Sequence, residues 1–150
     1  MQGRIARICT SFIDYPGKIA IAIYFAGCSI RCPGCQNKEL WKEQQGNLMT
    51  TYEIIQKIHA HPLATAVVFL GGEPTDQLDF LKDLCTQITA TCDKDIALYT
   101  GREFEVLPQD LLQHLQVIVC GPYRSELHVN GWPASTNQRV FKREVGQWKC

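Results

Sequence analysis

The sequence predicts an α/β fold: an open partial (β/α) barrel with a mostly parallel sheet. Three observations predict it. Apolar runs rich in β-branched residues recur at 18–25, 66–70, 96–99 and 116–120, and their length and composition suit strands buried on both faces. Stretches of helical period lie between several of these runs, which is the crossover that parallel strands require. Each run stops at glycine, at Gly27, Gly71-Gly72, Gly101 and Gly121. Some four units of this kind are too few to close an eight-stranded barrel, so a curved, open sheet is expected.

Residues 18–25, reading KIAIAIYF, form the first strand, and a cysteine-rich loop follows directly. Thr50 is placed to cap a helix, because Glu53 stands three residues on and Ile54, Ile55 and Ile58 then share one face until Pro62 closes it. Residues 66–70 form a second strand, and from 76 to about 91 the leucines 78, 81 and 84 and Ile88 line one helical face. A third strand at 96–99 runs into Thr100-Gly101, a short helix lies near 108–114, and a fourth strand at 116–120 ends at Gly121-Pro122. The segment 123–150 has no clear period, and only 139–141 reads as a strand. The loops after the first three strands carry the cysteines, a Gly-Gly-Glu-Pro and a Thr-Gly, and a parallel sheet gathers such loops at its carboxyl edge.

With 150 residues and no Gly/Ser- or Pro-rich linker, residues 1–150 read as a single domain. Fifteen basic and fifteen acidic residues leave no net charge and no block of one sign, which argues against a nucleic-acid partner or a membrane-surface patch. The chain has no secretory leader pattern and no apolar run near the ~18 residues of a bilayer span, so a cytoplasmic location is expected. In that reducing compartment the eight cysteines point to metal ligation before disulfides. Cys9, Cys85 and Cys120 read as small buried hydrophobes, and Cys150 as a terminal thiol. The four histidines form no ligand pattern, and there is no Ser-His-Asp order or phosphate loop to suggest hydrolysis or phosphoryl transfer.

Cys28, Cys32 and Cys35 stand at x3 and x2 spacing, close enough to converge on one metal centre. Two readings remain open from spacing alone. A structural zinc site would need a fourth cysteine or histidine, whereas a 4Fe-4S cluster on three thiolates keeps one iron open to a non-protein ligand. Gly71 and Gly72 let the backbone approach a ligand closely, and Glu73 offers a carboxylate that can accept from an ammonium group.

Taken together, Cys28-x3-Cys32-x2-Cys35 after the first strand and Gly71-Gly72-Glu73-Pro74 after the second resemble the radical S-adenosylmethionine (SAM) superfamily. Further segments resemble its glycyl-radical-enzyme activases: Cys32 to Asn37, Asp14 to Gly17, Tyr99 to Gly101, Gly121-Pro122-Tyr123 and Ser135 to Arg139. Gly34, Cys120 and the run Trp132 to Ala134 depart from the wider pattern. The resemblance implies a partial barrel of the radical SAM type. It also implies a 4Fe-4S cluster on Cys28, Cys32 and Cys35, and SAM held by its open iron together with Gly71, Gly72, Glu73, Pro74, Asn37, Thr100 and Gly101. It implies reduction of the cluster by an external low-potential electron donor and cleavage of SAM to methionine and a 5′-deoxyadenosyl radical. The partner would be anaerobic ribonucleotide reductase or another glycyl radical enzyme, on which that radical makes a glycyl radical. Two alternatives stay in play: a radical SAM enzyme acting on another peptide or a small molecule, and a non-catalytic iron-sulfur module.

Overall fold

The small-large alternation of β2 (Ala20–Phe25) sets the plan of the fold, because successive strand residues face opposite sides of a sheet. Ile21, Ile23 and Phe25 point to one side and join a large core, while Ala20 and Ala22 point to the other. The computed structural model describes residues 1–32, 42 and 46–150. The strands β1 (Gln2–Ser11), β2, β3 (Asn47–Thr50), β4 (Ala66–Gly71), β5 (Asp95–Thr100), β6 (Val117–Cys120), β7 (Arg139–Glu144) and β8 (Gln147–Lys149) form one sheet. Its order is β3-β1-β2-β4-β5-β6-β7-β8.

The strands at 18–25, 66–70, 96–99 and 116–120 are thus present as β2, β4, β5 and β6, and they pair in parallel through three neighbouring ladders. The expectation of a mostly parallel sheet is corrected: four of the pairings, β1 with β2, β1 with β3, β6 with β7 and β7 with β8, are antiparallel. The sheet is mixed. Its flanking strands are partly solvated, so the continuous apolar runs that mark a doubly buried strand are absent from them. No residue of β7 is buried, and its hairpin to β8 turns through Val145 (φ 50) and Gly146 (φ 77), a left-handed pair in which valine gives no turn signal.

Helix α1 (Thr51–His59) starts as its capping box requires, with Thr50 Oγ1 accepting from Glu53 N at 3.1 Å. Helix α2 (Leu78–Thr91) is preceded by a 3₁₀ turn at Pro74–Gln77, which takes up residues 76 and 77 of the expected helix. A short helix α3 (Gln109–Leu112) precedes β6. All three helices bury their apolar stripes against one face of the sheet, where Ile54, Ile58, Leu84, Ile88 and Leu111 meet Phe25, Phe69, Leu98 and Ile118. The other face is covered by loop and strand aromatics: Tyr15, Tyr24, Tyr99 and Trp132 pack on Ala20, Ala22, Ala66, Val68 and Ala97. Small residues there leave room for something to lie over the sheet.

Cys85 and Cys120 are buried as expected, and burial pushes the Cys85 thiol up to about 12. Cys9 is exposed, which corrects its reading as a buried residue. It pairs with Ala22 near the edge of the sheet, on the face that no helix covers. Among the described residues no helix is long and apolar enough to cross a membrane.

Candidate functional site

Because β2, β4, β5 and β6 run parallel, the loops leaving them share one edge, and register sharpens the convergence: Phe25 is level with Gly71, and Thr100 with Cys120. These loops and the sheet face that carries no helix line a cavity of about 630 Å³, within the ordinary range for ligand sites. Cys28 and Cys32 line it together with Gly71, Gly72, Glu73, Thr100 and Gly101. Residues predicted from three separate segments therefore meet around one space. Pro74 is buried at the head of its turn and does not line the cavity. Cys35 and Asn37 lie outside the described residues.

Cys28 and Cys32 are half-buried. Burial pushes the Cys28 thiol up, the Arg31 and Ile30 amides pull it down, and the Glu73 and Asp76 carboxylates push it up. The loop curls back on itself at Arg31 (φ 51), so that the Arg31 amide reaches Cys28 Sγ at 3.4 Å and its guanidinium Nε reaches the Cys28 carbonyl at 3.2 Å. A non-glycine residue in that region is strained, and such strain gathers where a ligand loop must be shaped.

Gly71 (φ 107) is required by both conformation and space, since a Cβ there would sit 2.7 Å from the Phe25 backbone nitrogen. The tight approach lets Gly72 N donate to Phe25 O at 2.9 Å and Glu73 N to Gly27 O at 2.8 Å, stitching the β4 loop to the cysteine loop. Glu73 is 1% exposed. Its Oε2 accepts from Thr75 N (3.1 Å), Thr75 Oγ1 (2.6 Å) and Thr100 Oγ1 (2.7 Å), and its Oε1 accepts from Gly101 N (2.7 Å). A buried carboxylate needs such partners. Oε1, with a single donor among the described residues, keeps accepting capacity.

Farther down the cavity, Trp132 Nε1 donates to the Tyr99 hydroxyl, which donates to Asp14 O at 2.5 Å. Burial raises the Tyr99 phenol well above its usual range and keeps it a neutral donor. The segment 123–150, unassigned from sequence, supplies Trp132 and Gln138 to the lining. Gln138 donates to Gly121 O at 3.2 Å and Asn137 to Pro122 O at 2.8 Å, so this motif fastens the loop after β6. Arg139 turns outward and pairs with Glu103 and Glu105, holding the Glu105 carboxyl down at about 2. Sequence reading also passed over Ser29, Thr75, Asp76 and Arg102, polar residues beside the motifs that carry no spacing signal of their own.

The donor chemistry fits an iron-sulfur cluster: thiolates are its ordinary ligands, and a lining of glycine, threonine and buried glutamate suits a polar ligand beside it. Comparison with known proteins agrees. The 4Fe-4S single cluster domain family matches residues 14–141. The anaerobic ribonucleoside-triphosphate reductase-activating protein of Enterobacteria phage T4 is 29% identical over 146 residues, covering 92% of each chain. The pyruvate formate-lyase-activating enzyme of Clostridium pasteurianum is 29% identical over 128 residues, covering 79% of this chain and 52% of the relative. Among solved structures, QueE from Escherichia coli superimposes with a TM-score of 0.61 at 16% identity, over 84% of this chain and 74% of that one, and so shares the fold.

Proposed function

This chain belongs to the 4Fe-4S single cluster domain family and is a radical SAM enzyme that uses a 4Fe-4S cluster and SAM, and on that premise we propose that it activates anaerobic ribonucleoside-triphosphate reductase by making a glycyl radical on it. The observation that carries the reading is the meeting of Cys28 and Cys32 with Gly71, Gly72, Glu73, Thr100 and Gly101 around one cavity. The choice of partner rests on the extent of likeness: the phage reductase-activating protein matches 92% of this chain and the pyruvate formate-lyase-activating enzyme 79%.

In this proposal Cys28, Cys32 and Cys35 hold the cluster. When bound, cluster and SAM supply one-electron chemistry: SAM is reductively cleaved to methionine and a 5′-deoxyadenosyl group able to take a hydrogen atom, the electron coming from an external low-potential donor. The chain's own residues bind, orient and exclude water. Glu73 takes the ammonium of SAM on Oε1, and the small profile of Gly71 and Gly72 admits the amino-acid end. Thr100 and Gly101 complete the walls, and Pro74 fixes the turn that presents Glu73. Tyr24, Tyr99, Val119 and Leu70 give the remainder an apolar, aromatic lining that keeps water from a reactive carbon.

The same reading takes residues 1–150 as one domain curved as a partial barrel about the cavity, with the helices outside; the single sheet and the one-sided helix layer support it. It places the enzyme in the reducing cytoplasm, where cluster thiols stay unpaired. The test is an anaerobic assay of 5′-deoxyadenosine formed by the reconstituted, reduced protein, alone, with anaerobic ribonucleotide reductase, and with pyruvate formate-lyase. Product raised by the reductase and not by the lyase is expected. Product raised only by the lyase would overturn the choice of partner, and no product from a loaded cluster would overturn the proposal.

A further inference from the structure

Ser29 follows the first cluster cysteine directly, and both its donors are spent on one side chain. Its backbone N–H donates to Asp76 Oδ2 at 2.7 Å and its hydroxyl to Asp76 Oδ1 at 2.8 Å. Asp76 belongs to the turn after β4, whereas Ser29 belongs to the loop after β2. A third strand end joins them: Arg102, just beyond β5, donates from Nη2 to Asp76 Oδ1 at 2.7 Å and to Ser29 Oγ at 3.3 Å, and from Nε to Thr75 Oγ1 at 2.8 Å. Its backbone then ties in the fourth, since Gly121 N donates to Arg102 O at 3.0 Å. The network runs on through Thr75 to Glu73.

We propose that Asp76 and Arg102 are positioning residues that fix the Cys28-Ser29 backbone against the β4 and β5 strand ends, and so set where the cluster stands relative to SAM. Neither residue lines the cavity. Asp76 acts through Ser29, and Arg102 acts through Asp76 and Thr75. A carboxylate that takes two donors from one residue fixes orientation as well as distance, and the Arg102 guanidinium ties that carboxylate to Thr75 by donating from Nη2 to Asp76 Oδ1 and from Nε to Thr75 Oγ1. The cysteine loop needs such an anchor, because it leaves β2 at its last residue and then curls at Arg31 with no regular secondary structure among its described residues. Groups that orient ligand residues in this indirect way commonly matter ~10- to 100-fold to metal-site affinity or activity.

The inference rests on the proposed function for its consequence but not for its geometry, so two readouts separate them. In the metal-free full chain, amide hydrogen exchange across residues 28–32 reports the anchor itself. Asp76→Ala and Arg102→Ala should speed exchange there and leave α2 and the central strands unchanged. In the reconstituted chain, the change that SAM causes in the electron paramagnetic resonance of the reduced cluster gives SAM affinity. Iron and sulfide content should match the parent protein while SAM binds about ten-fold more weakly. Asp76→Asn, which keeps an accepting oxygen, should restore part of the loss, and Ser29→Ala should fall between. Should Asp76→Ala fail to fold by circular dichroism, Ser29→Ala removes only the hydroxyl bond and carries the prediction in its smaller form, faster exchange across 28–32 with weaker SAM binding. Unchanged exchange, or exchange that changes while SAM affinity and the resonance do not, would overturn the positioning role. Failure of the parent protein itself to bind SAM would instead overturn the proposed function, while the exchange comparison still judges the anchor.

Discussion

The parallel centre of the sheet and its antiparallel flanks differ in what they are asked to do. In the centre, every residue of β6 and five of the six in β4 are buried; on the flank, β7 has none. Cys28, Cys32, Gly71, Gly72, Glu73, Thr100 and Gly101 reach the cavity from the ends of central strands, whereas Asp14 reaches it from the loop after the flanking β1. The flanks close the edges of the sheet, and the segment before β7 lays Trp132 over its open face. Rigid centre and adaptable rim are a common division of labour for sites at strand ends, since ligand groups are held most accurately by strands sealed on both sides. The comparison teaches that chemistry here depends on the centre's register, while the flanks set what can reach it.

The largest effect should come from the loop the centre presents. Cys28→Ala or Cys32→Ala should abolish stable cluster binding, read as loss of iron and sulfide after anaerobic reconstitution, with the thermal unfolding of the metal-free chain unchanged. Retention of a full cluster in either variant would break the assignment. Next is the centre itself: Phe69 is fully buried and meets Phe25 edge-on at 5.8 Å, so Phe69→Ala should cost about 4 kcal/mol in denaturant unfolding. Glu73→Ala should follow at about 3 kcal/mol, because it leaves the buried Thr100 hydroxyl and the Gly101 amide without their acceptor. On the flank, Trp148 on β8 meets Phe104 edge-on at 5.8 Å and lies under the Arg143 guanidinium at 4.9 Å but is only half-buried, so Trp148→Ala should cost about 1 kcal/mol. A loss there as large as that of Phe69→Ala would erase the distinction between centre and flank.

The smallest effect concerns pH. Burial holds His114 below its usual pKa, the Arg143 charge adds to this, and Asp110 opposes it. The fold therefore prefers the neutral ring. Its contribution is complete above about pH 6.5 and is lost as pH falls through the lower folded value. Between about pH 6.5 and that lower value the slope of stability against pH should flatten in His114→Gln, as urea midpoints across the range would show.

What could be read from the sequence follows the same division. KIAIAIYF and AVVFL announce strands because burial on both faces leaves their strand portions, Ala20–Phe25 and 66–70, without charged residues, and Thr50 and Glu53 announce a helix start because a capping box is local. On the flanks only 139–141 was read as a strand, and it is the start of β7. β1 begins with Gln2, Gly3 and Arg4 and shifts register between Ile5 and Arg7, so its alternation breaks midway. β3 is four residues long and runs straight into the cap of α1. Within the site, Cys28, Gly71, Glu73 and Thr100 were legible because motif spacing carries them. Ser29, Asp76 and Arg102 were not, since their roles come from strand ends that meet only in three dimensions. Glu73 shows both sides: its place in the site was expected, but its four bonds to Thr75, Thr100 and Gly101 were visible only in the fold.

The most direct test of the central claim is electron paramagnetic resonance on anaerobic ribonucleotide reductase after incubation with the reconstituted, reduced protein and SAM. The account predicts a glycyl radical signal on the reductase that requires both this protein and SAM and disappears with Cys28→Ala. A fully loaded, reduced protein that cleaves SAM yet leaves the reductase without that signal would contradict it.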